Sequence, residues 1–254
     1  MVDFAAIALQ LPQHRIRMQT LRLHNWNLSY AQAVALQREL AQKVRMTPLK
    51  TQPKIVAGLD CALSSDGRRI VAAVVVLQRT EATDSLWGPV KPADFKLIET
   101  TTASQELSFP YIPGLLSFRE SPVCIAAVEK LKKEPDAFLI DGQGIAHPRR
   151  FGIAAHLGLF FDKPTIGCAK SRLTGSFEEP AQEKGAYSPL KDNQEVIGAA
   201  VRTRTSVAPV FVSVGNKCAL EDAIDVTLAW TTKYRVPEPT RLAHQLVGKS
   251  KLEA

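Results

Sequence analysis

The sequence predicts a single α/β domain with a mixed sheet, an antiparallel three-strand meander joined to parallel strands and flanked by helices. Three observations carry this expectation. Two β-rich runs, Lys54 to Leu63 and Arg68 to Gln78, enclose Ser64-Ser65-Asp66-Gly67, and an Asp-Gly pair between such runs signals a hairpin. Further along, an apolar run, a glycine-bearing loop, a helical stretch and a second apolar run follow in order, which implies parallel strands with right-handed crossovers. The chain has 254 residues, 45% of them hydrophobic, and no linker composition divides it. One core is expected over 1–254, with an N-terminal extension at 1–28 and a basic tail at 240–254 that frays.

Each element has its own signal. Ser29 is a helix cap, and Ala31, Val34, Leu36, Leu40 and Val44 recur at helical spacing behind it, so 29–44 reads as a helix on the outside of the sheet. After the hairpin, Arg79 to Pro92 is polar and weakly structured, and Phe95 to Thr102 completes the meander. A loop bracketed by Pro110 and Pro113 precedes a helix from Ser121 to Lys133, which Pro135 ends. Phe138 to Ile140 forms a short buried strand, a glycine loop leads into a helix reaching Phe161, and Pro164 to Ala169 is a further strand. Leu173 to Asn193 reads as a surface excursion, Glu195 to Arg202 and Val207 to Val214 as a late strand pair, and Ala219 to Tyr234 as a closing helix.

Composition narrows the function classes. No run of 18 or more uncharged apolar residues occurs, and Met1 to Gln10 lacks the basic lead of a secretory signal, so a cytoplasmic, non-membrane protein is expected. Cys61, Cys124, Cys168 and Cys218 lie far apart without a C-x-x-C pair and read as small core residues. Net charge is +7, with cations clustered at Arg68-Arg69, Lys130 to Lys133, Arg149-Arg150 and Lys249 to Lys251, which suits a polyanionic partner without requiring one.

The chemistry concentrates in a few strings. In Asp141-Gly142-Gln143-Gly144 an acid ends a buried strand, where a carboxylate can hold a divalent cation, and the glycines let backbone approach a ligand. Asp60 lies inside the apolar strand Val56 to Leu63, where an ionised carboxylate is costly unless paired or metal-bound. Glu120 stands at a helix start, where an acid by itself usually serves only as a partner for the helix dipole. Converging, Asp60, Glu120 and Asp141 would form an oxygen-rich site for Mg²⁺, with Mn²⁺ able to substitute. His147 fits a proton donor at the same phosphate or a packed imidazole. Lys170 fits a charge-neutralising group or a solvated cation, and Arg149, Arg150 and Arg172 fit contacts to backbone phosphates. In Pro110-Tyr111-Ile112-Pro113-Gly114 two prolines stiffen a loop that presents an aromatic, suited either to wedging into a base stack or to the core.

These strings resemble the endonuclease V family. The resemblance runs from about Lys54 to Leu246 and is carried by Val56 to Asp60, Pro110 to Glu120, Asp141 to Arg149 and Gly167 to Ser171. It implies an RNase H-like fold and Mg²⁺-dependent hydrolysis of DNA at the second phosphodiester bond 3′ to a deoxyinosine, leaving 3′-hydroxyl and 5′-phosphate ends. Under it Asp60, Glu120 and Asp141 match metal-binding acids, His147 and Lys170 match active-site residues, and Tyr111 matches a wedge filling the gap left by the flipped lesion. The extruded base would meet backbone of Gly114, Leu115 and Leu116 and of Gly142, Gln143 and Gly144. The expected partner is DNA carrying deaminated bases, the alternatives are an inosine-specific ribonuclease or an inosine binder without catalysis, and a monomer is expected. One departure stands out: Asn216 occupies a position where the family often has His, and an amide cannot take up a proton near neutral pH.

Overall fold

The computed structural model describes residues 17–80 and 94–252. The polar segment expected before Pro92 lies, from residue 81 on, outside the described residues, as do Met1 to Gln10. The elements are α1 (Tyr30–Ala41), β1 (Ile55–Leu63), β2 (Arg69–Arg79), β3 (Phe95–Glu106), α2 (Leu116–Val128), β4 (Ala137–Ile140), α3 (Ile153–Phe161), β5 (Thr165–Ala169), β6 (Tyr187–Asp192), β7 (Glu195–Val201), β8 (Val210–Asn216), α4 (Leu220–Ala229) and α5 (Glu238–Ser250). All eight strands join one sheet in the order β3-β2-β1-β4-β5-β8-β7-β6. The meander β1-β2-β3 is antiparallel, β1-β4 and β4-β5 are parallel, and β8, β7 and β6 return antiparallel, which is the mixed architecture expected.

Strands buried on both faces need two helical layers. One core packs Ala57, Leu59, Phe138 and Ile140 beneath Val123, Leu157 and Phe161 of α2 and α3. The other packs Val56, Leu139 and Ile166 beneath Ile224 of α4, Trp230 and Ala243 of α5. Ser29 caps α1 in a capping box with Gln32. That helix differs from expectation in its place: it does not cover the sheet but packs Ala33 on Phe109 and Phe118, and Leu40 on Phe151 and Ala155, outside α2 and α3.

Three further boundaries differ. α2 begins at Leu116 rather than Ser121, so Glu120 sits beyond its first turn and Pro122 lies inside the helix. A proline there removes one intrahelical hydrogen bond, and local sequence therefore favours reading it as a start. The excursion at 173–193 contains edge strand β6, and Arg202 holds the preceding loop through the Ala181 and Pro180 carbonyls and the Glu179 carboxylate, and also donates to the Val207 carbonyl beyond β7. The basic tail does not fray from residue 240: α5 runs to Ser250 with Thr240, Ala243 and Val247 buried at helical spacing against the sheet. Its flanking Lys249 and Lys251 masked that apolar stripe in the sequence.

Candidate active site

The parallel register of β1 and β4 aligns Leu59 with Ile140, and the Asp141 amide donates to the Leu59 carbonyl at 3.1 Å. The next residue on each strand's path is an acid, so Asp60 and Asp141 are brought side by side where β4 ends in the middle of the sheet. Asp60 is buried. Its Oδ1 accepts from the Cys61 amide at 2.8 Å, and its Oδ2 lies 2.7 Å from His244 Nδ1 on α5. One ligand atom each from Asp60, Asp141 and His244 lie within 4.8 Å of one another. Two carboxylate oxygens and an imidazole nitrogen are a donor set that suits Mg²⁺ or Mn²⁺, the imidazole favouring the latter.

Glu120 approaches from α2 but is not part of this tight cluster. Burial, with the negative Asp60 and Asp141 adding to it, pushes its carboxyl up to about 7, against relief from a Cys61 hydrogen bond. Burial raises Asp60 as well, and Asp141 adds to this, while His244 and Lys170 oppose it. Carboxyls crowded in this way resist ionising without a cation among them. Lys170, just past β5, supplies one: its Nζ is 2.5 Å from Asp141 Oδ2. The Lys170 side chain is 43% exposed, so it is both paired and solvated.

Beside the acids, a cavity of about 140 Å³ opens between the Tyr111 loop and the glycine loop, lined among others by Tyr111, Gly114, Ser117, Gln143 and His147. Tyr111 is 65% exposed, which removes the core alternative, and the Arg119 guanidinium stands 5.8 Å from its ring centre. Pro113, Ile112, Leu116 and Leu173 also border the cavity; Pro110 and Leu115 do not, Leu115 being buried with Phe109 and Phe118. Glycine is required at Gly144 for packing rather than for ligand approach, since a Cβ there would sit 2.0 Å from the Val214 carbonyl oxygen. Gly142 in turn faces the Ile153 side chain.

The loop is held by a clamp that sequence reasoning did not find. The Gly114 carbonyl accepts from Gln37 Nε2 at 2.9 Å, His147 Nε2 at 3.1 Å and Arg149 at 2.6 Å. Arg149 Nε also donates to Gln37 Oε1 at 2.5 Å, and Gln37 Nε2 reaches the Phe151 carbonyl. His147 Nδ1 accepts from the Arg149 amide, so both ring nitrogens are engaged and the proton-donor alternative for His147 gives way to a packed, neutral imidazole. Arg149 belongs to the clamp, Arg150 pairs with Asp192 and Glu195, and the exposed Arg172 donates to the Gly175 carbonyl through one nitrogen.

Burial, reinforced by Arg149 and Arg150, pushes His147 down to about 4. The unfolded chain takes up this proton near pH 6.5 and the folded chain only near 4, so stability is full above about 6.5 and falls with pH through that window. For a residue 3% exposed the displacement corresponds to on the order of 3 kcal/mol. Urea unfolding of wild type and His147→Asn at pH 7 and pH 4.5 is expected to show the wild type losing more stability; equal losses would contradict this.

Asn216 is far from this chemistry. It ends β8 beside Thr165, at the opposite end of β5 from Lys170. Its Oδ1 accepts from the Arg45 amide and its Nδ2 donates to the Gly158 carbonyl, so it is a buried structural amide, and its lack of a titratable proton bears on nothing at the acids. Asp222 likewise accepts from the Leu49 and Ala219 amides at the start of α4. The missed group was His244, whose signal was its i+4 spacing from Thr240 in the apolar stripe of α5.

Acids gathered in the middle of a mixed sheet beside a lysine, with an aromatic-tipped loop over an adjoining cavity, place the molecule among the nucleases. The chain belongs to the Endonuclease V family, whose model matches residues 38–245. Endonuclease V of Trichormus variabilis is 47% identical over 232 residues, 91% of this chain and 99% of the relative. The crystal structure of Endonuclease V from Streptomyces avermitilis superposes with a TM-score of 0.80 at 40% identity, over 89% of this chain and 94% of that one. Ciona intestinalis Endonuclease V, solved in complex with a 24mer DNA containing an inosine followed by a ribo-adenosine, shares 28% identity with a TM-score of 0.68, over 87% and 96% of the two chains. Among the described residues no helix is long and apolar enough to cross a membrane.

Proposed function

We propose that this nuclease cuts DNA carrying deaminated bases, foremost deoxyinosine, in a reaction that depends on Mg²⁺ or Mn²⁺. The convergence of Asp60, Asp141 and His244 next to the cavity under Tyr111 carries the proposal. Asp60, Asp141 and His244 would hold the cation, with Glu120 close enough to share in its charge. A divalent ion held there would supply Lewis-acid chemistry, polarising a scissile phosphate and lowering the pKa of an attacking water. Lys170 offsets the charge that develops on the phosphate oxygens. Without a cation, burial pushes the Glu120 carboxyl up to about 7, and a divalent ion beside it would draw it toward the ionised form. The clamp on Gly114 keeps the Tyr111 loop in place, so that the aromatic can fill the gap when an altered, poorly pairing base is extruded.

Incubation of a duplex containing one deoxyinosine with the protein and Mg²⁺ is expected to yield a single nick at the second phosphodiester 3′ to the lesion, with 3′-hydroxyl and 5′-phosphate ends. Intact substrate in the presence of folded, metal-supplied protein would overturn the proposal. An identical duplex containing adenine serves as the uncut control.

A further inference from the structure

The acids stand where β4 ends, and the two helical layers flank that point from opposite faces of the sheet. The Tyr111 loop leads into α2, on one face; α4, α5 and the turn between them cover the other. A second, small cavity of about 40 Å³ lies on the α5 side and shares no lining residue with the cavity under Tyr111. Asp141, Lys170, Thr240, Arg241 and His244 line it.

The turn from α4 to α5 is tied to the acids and carries cations. Arg235 Nη2 donates at 2.7 Å to the carbonyl of Lys170, the residue whose ammonium pairs with Asp141, and also to the Pro209 carbonyl. Arg241 Nε and Nη2 both donate to Glu238 Oε2, at 2.8 and 2.6 Å, which leaves Nη1 without a hydrogen bond among the described residues. Glu238 is buried and also accepts from the Thr232 hydroxyl, so this acid is engaged within the turn. Lys233 is exposed and has no acidic partner among the described residues. The exposed Tyr234 ring gathers both cations: the Arg241 guanidinium stands 4.3 Å from its centre and the Lys233 ammonium 5.3 Å. Two like charges beside one ring repel, and an exposed aromatic face offsets little of that, so the arrangement favours an anion close to both.

We propose that Lys233 and Arg241, ordered by the Tyr234 ring, hold the phosphates that follow the cleaved bond. The lesion strand then enters at the Tyr111 cavity, crosses the acids from one face of the sheet to the other, and leaves over the α4–α5 turn. This inference rests on the nuclease reading above, which sets the cut on the 3′ side of the lesion, and adds the surface that holds the strand beyond the cut. Contacts of this kind position a strand without reading its bases.

Steady-state cleavage is compared on an inosine duplex with ordinary phosphates and on one whose phosphates after the cleaved bond are neutral methylphosphonates. A third duplex carries the same substitution 5′ of the lesion. For wild type the 3′ substitution is expected to raise KM about tenfold, and the 5′ substitution to raise it less. Lys233→Ala is expected to raise KM on the ordinary duplex, to reduce the salt slope by about one, and to lose most of the response to the 3′ substitution while keeping the response to the 5′ one. Tyr234→Leu and Arg241→Gln are expected to lose the 3′ response in the same way. Thermal unfolding checks the variants; Lys233 is exposed, so Lys233→Ala decides even if Arg241→Gln, which strips a partner from buried Glu238, does not fold. A wild type indifferent to the 3′ substitution, or a Lys233→Ala that responds to it as fully as wild type, would overturn the inference while leaving the nuclease reading intact. Metal-free gel-shift binding reads the same contrast, so a protein that binds with this pattern but cuts nothing would overturn the nuclease reading alone.

Discussion

Replacing Asp141 with asparagine is expected to lower inosine-dependent cleavage by roughly a thousandfold or more while leaving the protein folded and able to bind the lesion. Asp141 is the acid that the parallel β1-β4 register sets beside Asp60, and its Oδ2 also pairs with Lys170. An amide in its place removes one of the two negative charges in a cluster of two carboxylates and an imidazole. Charge stabilisation by a bound metal supplies several kcal/mol, and each ~1.4 kcal/mol is tenfold in rate. The fold should survive, because the Asp141 backbone amide, not its side chain, makes the bond to Leu59. Two measurements check the expectation: calorimetric titration with Mn²⁺, which should weaken, and gel-shift binding of inosine DNA without metal, which should persist. Retained cleavage would remove the metal-site argument.

The second large effect is expected at a residue with no functional group at all. Gly58 lies in β1 beneath the start of α5, and a Cβ there would stand 1.9 Å from the Pro239 carbonyl carbon and 2.4 Å from the Thr240 amide nitrogen. Both neighbours are backbone at the first turn of a helix, so no rotamer change relieves the overlap. Overpacking of this kind costs about 1–3 kcal/mol and more where backbone must move. Since α5 carries His244 against Asp60, Gly58→Ala is expected both to lower the thermal midpoint by about 5–10 °C and to disturb the cluster, reducing activity even at temperatures where the variant is folded. A midpoint within about 2 °C of wild type would show that α5 absorbs the methyl, and would separate helix docking from the site.

The two substitutions mark the limit of what could be read along the chain. The hairpin, the meander and the strand-helix-strand unit were legible because each rests on local signals, a turn dipeptide or a burial period within about ten residues. The start of α2 was not, because Pro122 reads locally as a first-turn residue and the interior placement follows from packing of Phe118 and Val123 on opposite neighbours. Asp60, Asp141 and Lys170 could be singled out because an acid or lysine inside or at the end of an apolar run is a local anomaly. Gln37 carries no such anomaly, being one polar residue on an amphipathic helix, and its role exists only because α1 lies across the Tyr111 loop.

The same distinction applies to polarity. The basic residues at 149, 150 and 172, expected to contact phosphate, also have protein partners that no local pattern announced, because a guanidinium with five donors bonds readily to nearby carbonyls and carboxylates. Asn216 seemed to weaken the site and instead proves to be a buried bracket joining Arg45 to Gly158.

What the sequence by itself determined was the mixed α/β class, the apolar strands on which Asp60 and Asp141 appear, and the stiff proline-bracketed loop that carries Tyr111. These follow from short-range rules of backbone geometry and burial. Only the tertiary structure decided that His244, 184 residues from Asp60 along the chain, stands 2.7 Å from it, and that Glu120 stays outside the tight cluster. It also decided that the Gln143 Oε1 is buried without a donor among the described residues. The reason is that ligand sets and orphaned polar atoms are properties of distance and solvent exclusion, and these are set when α5 docks on β1 and the glycine loop closes against β8, contacts that no local pattern encodes.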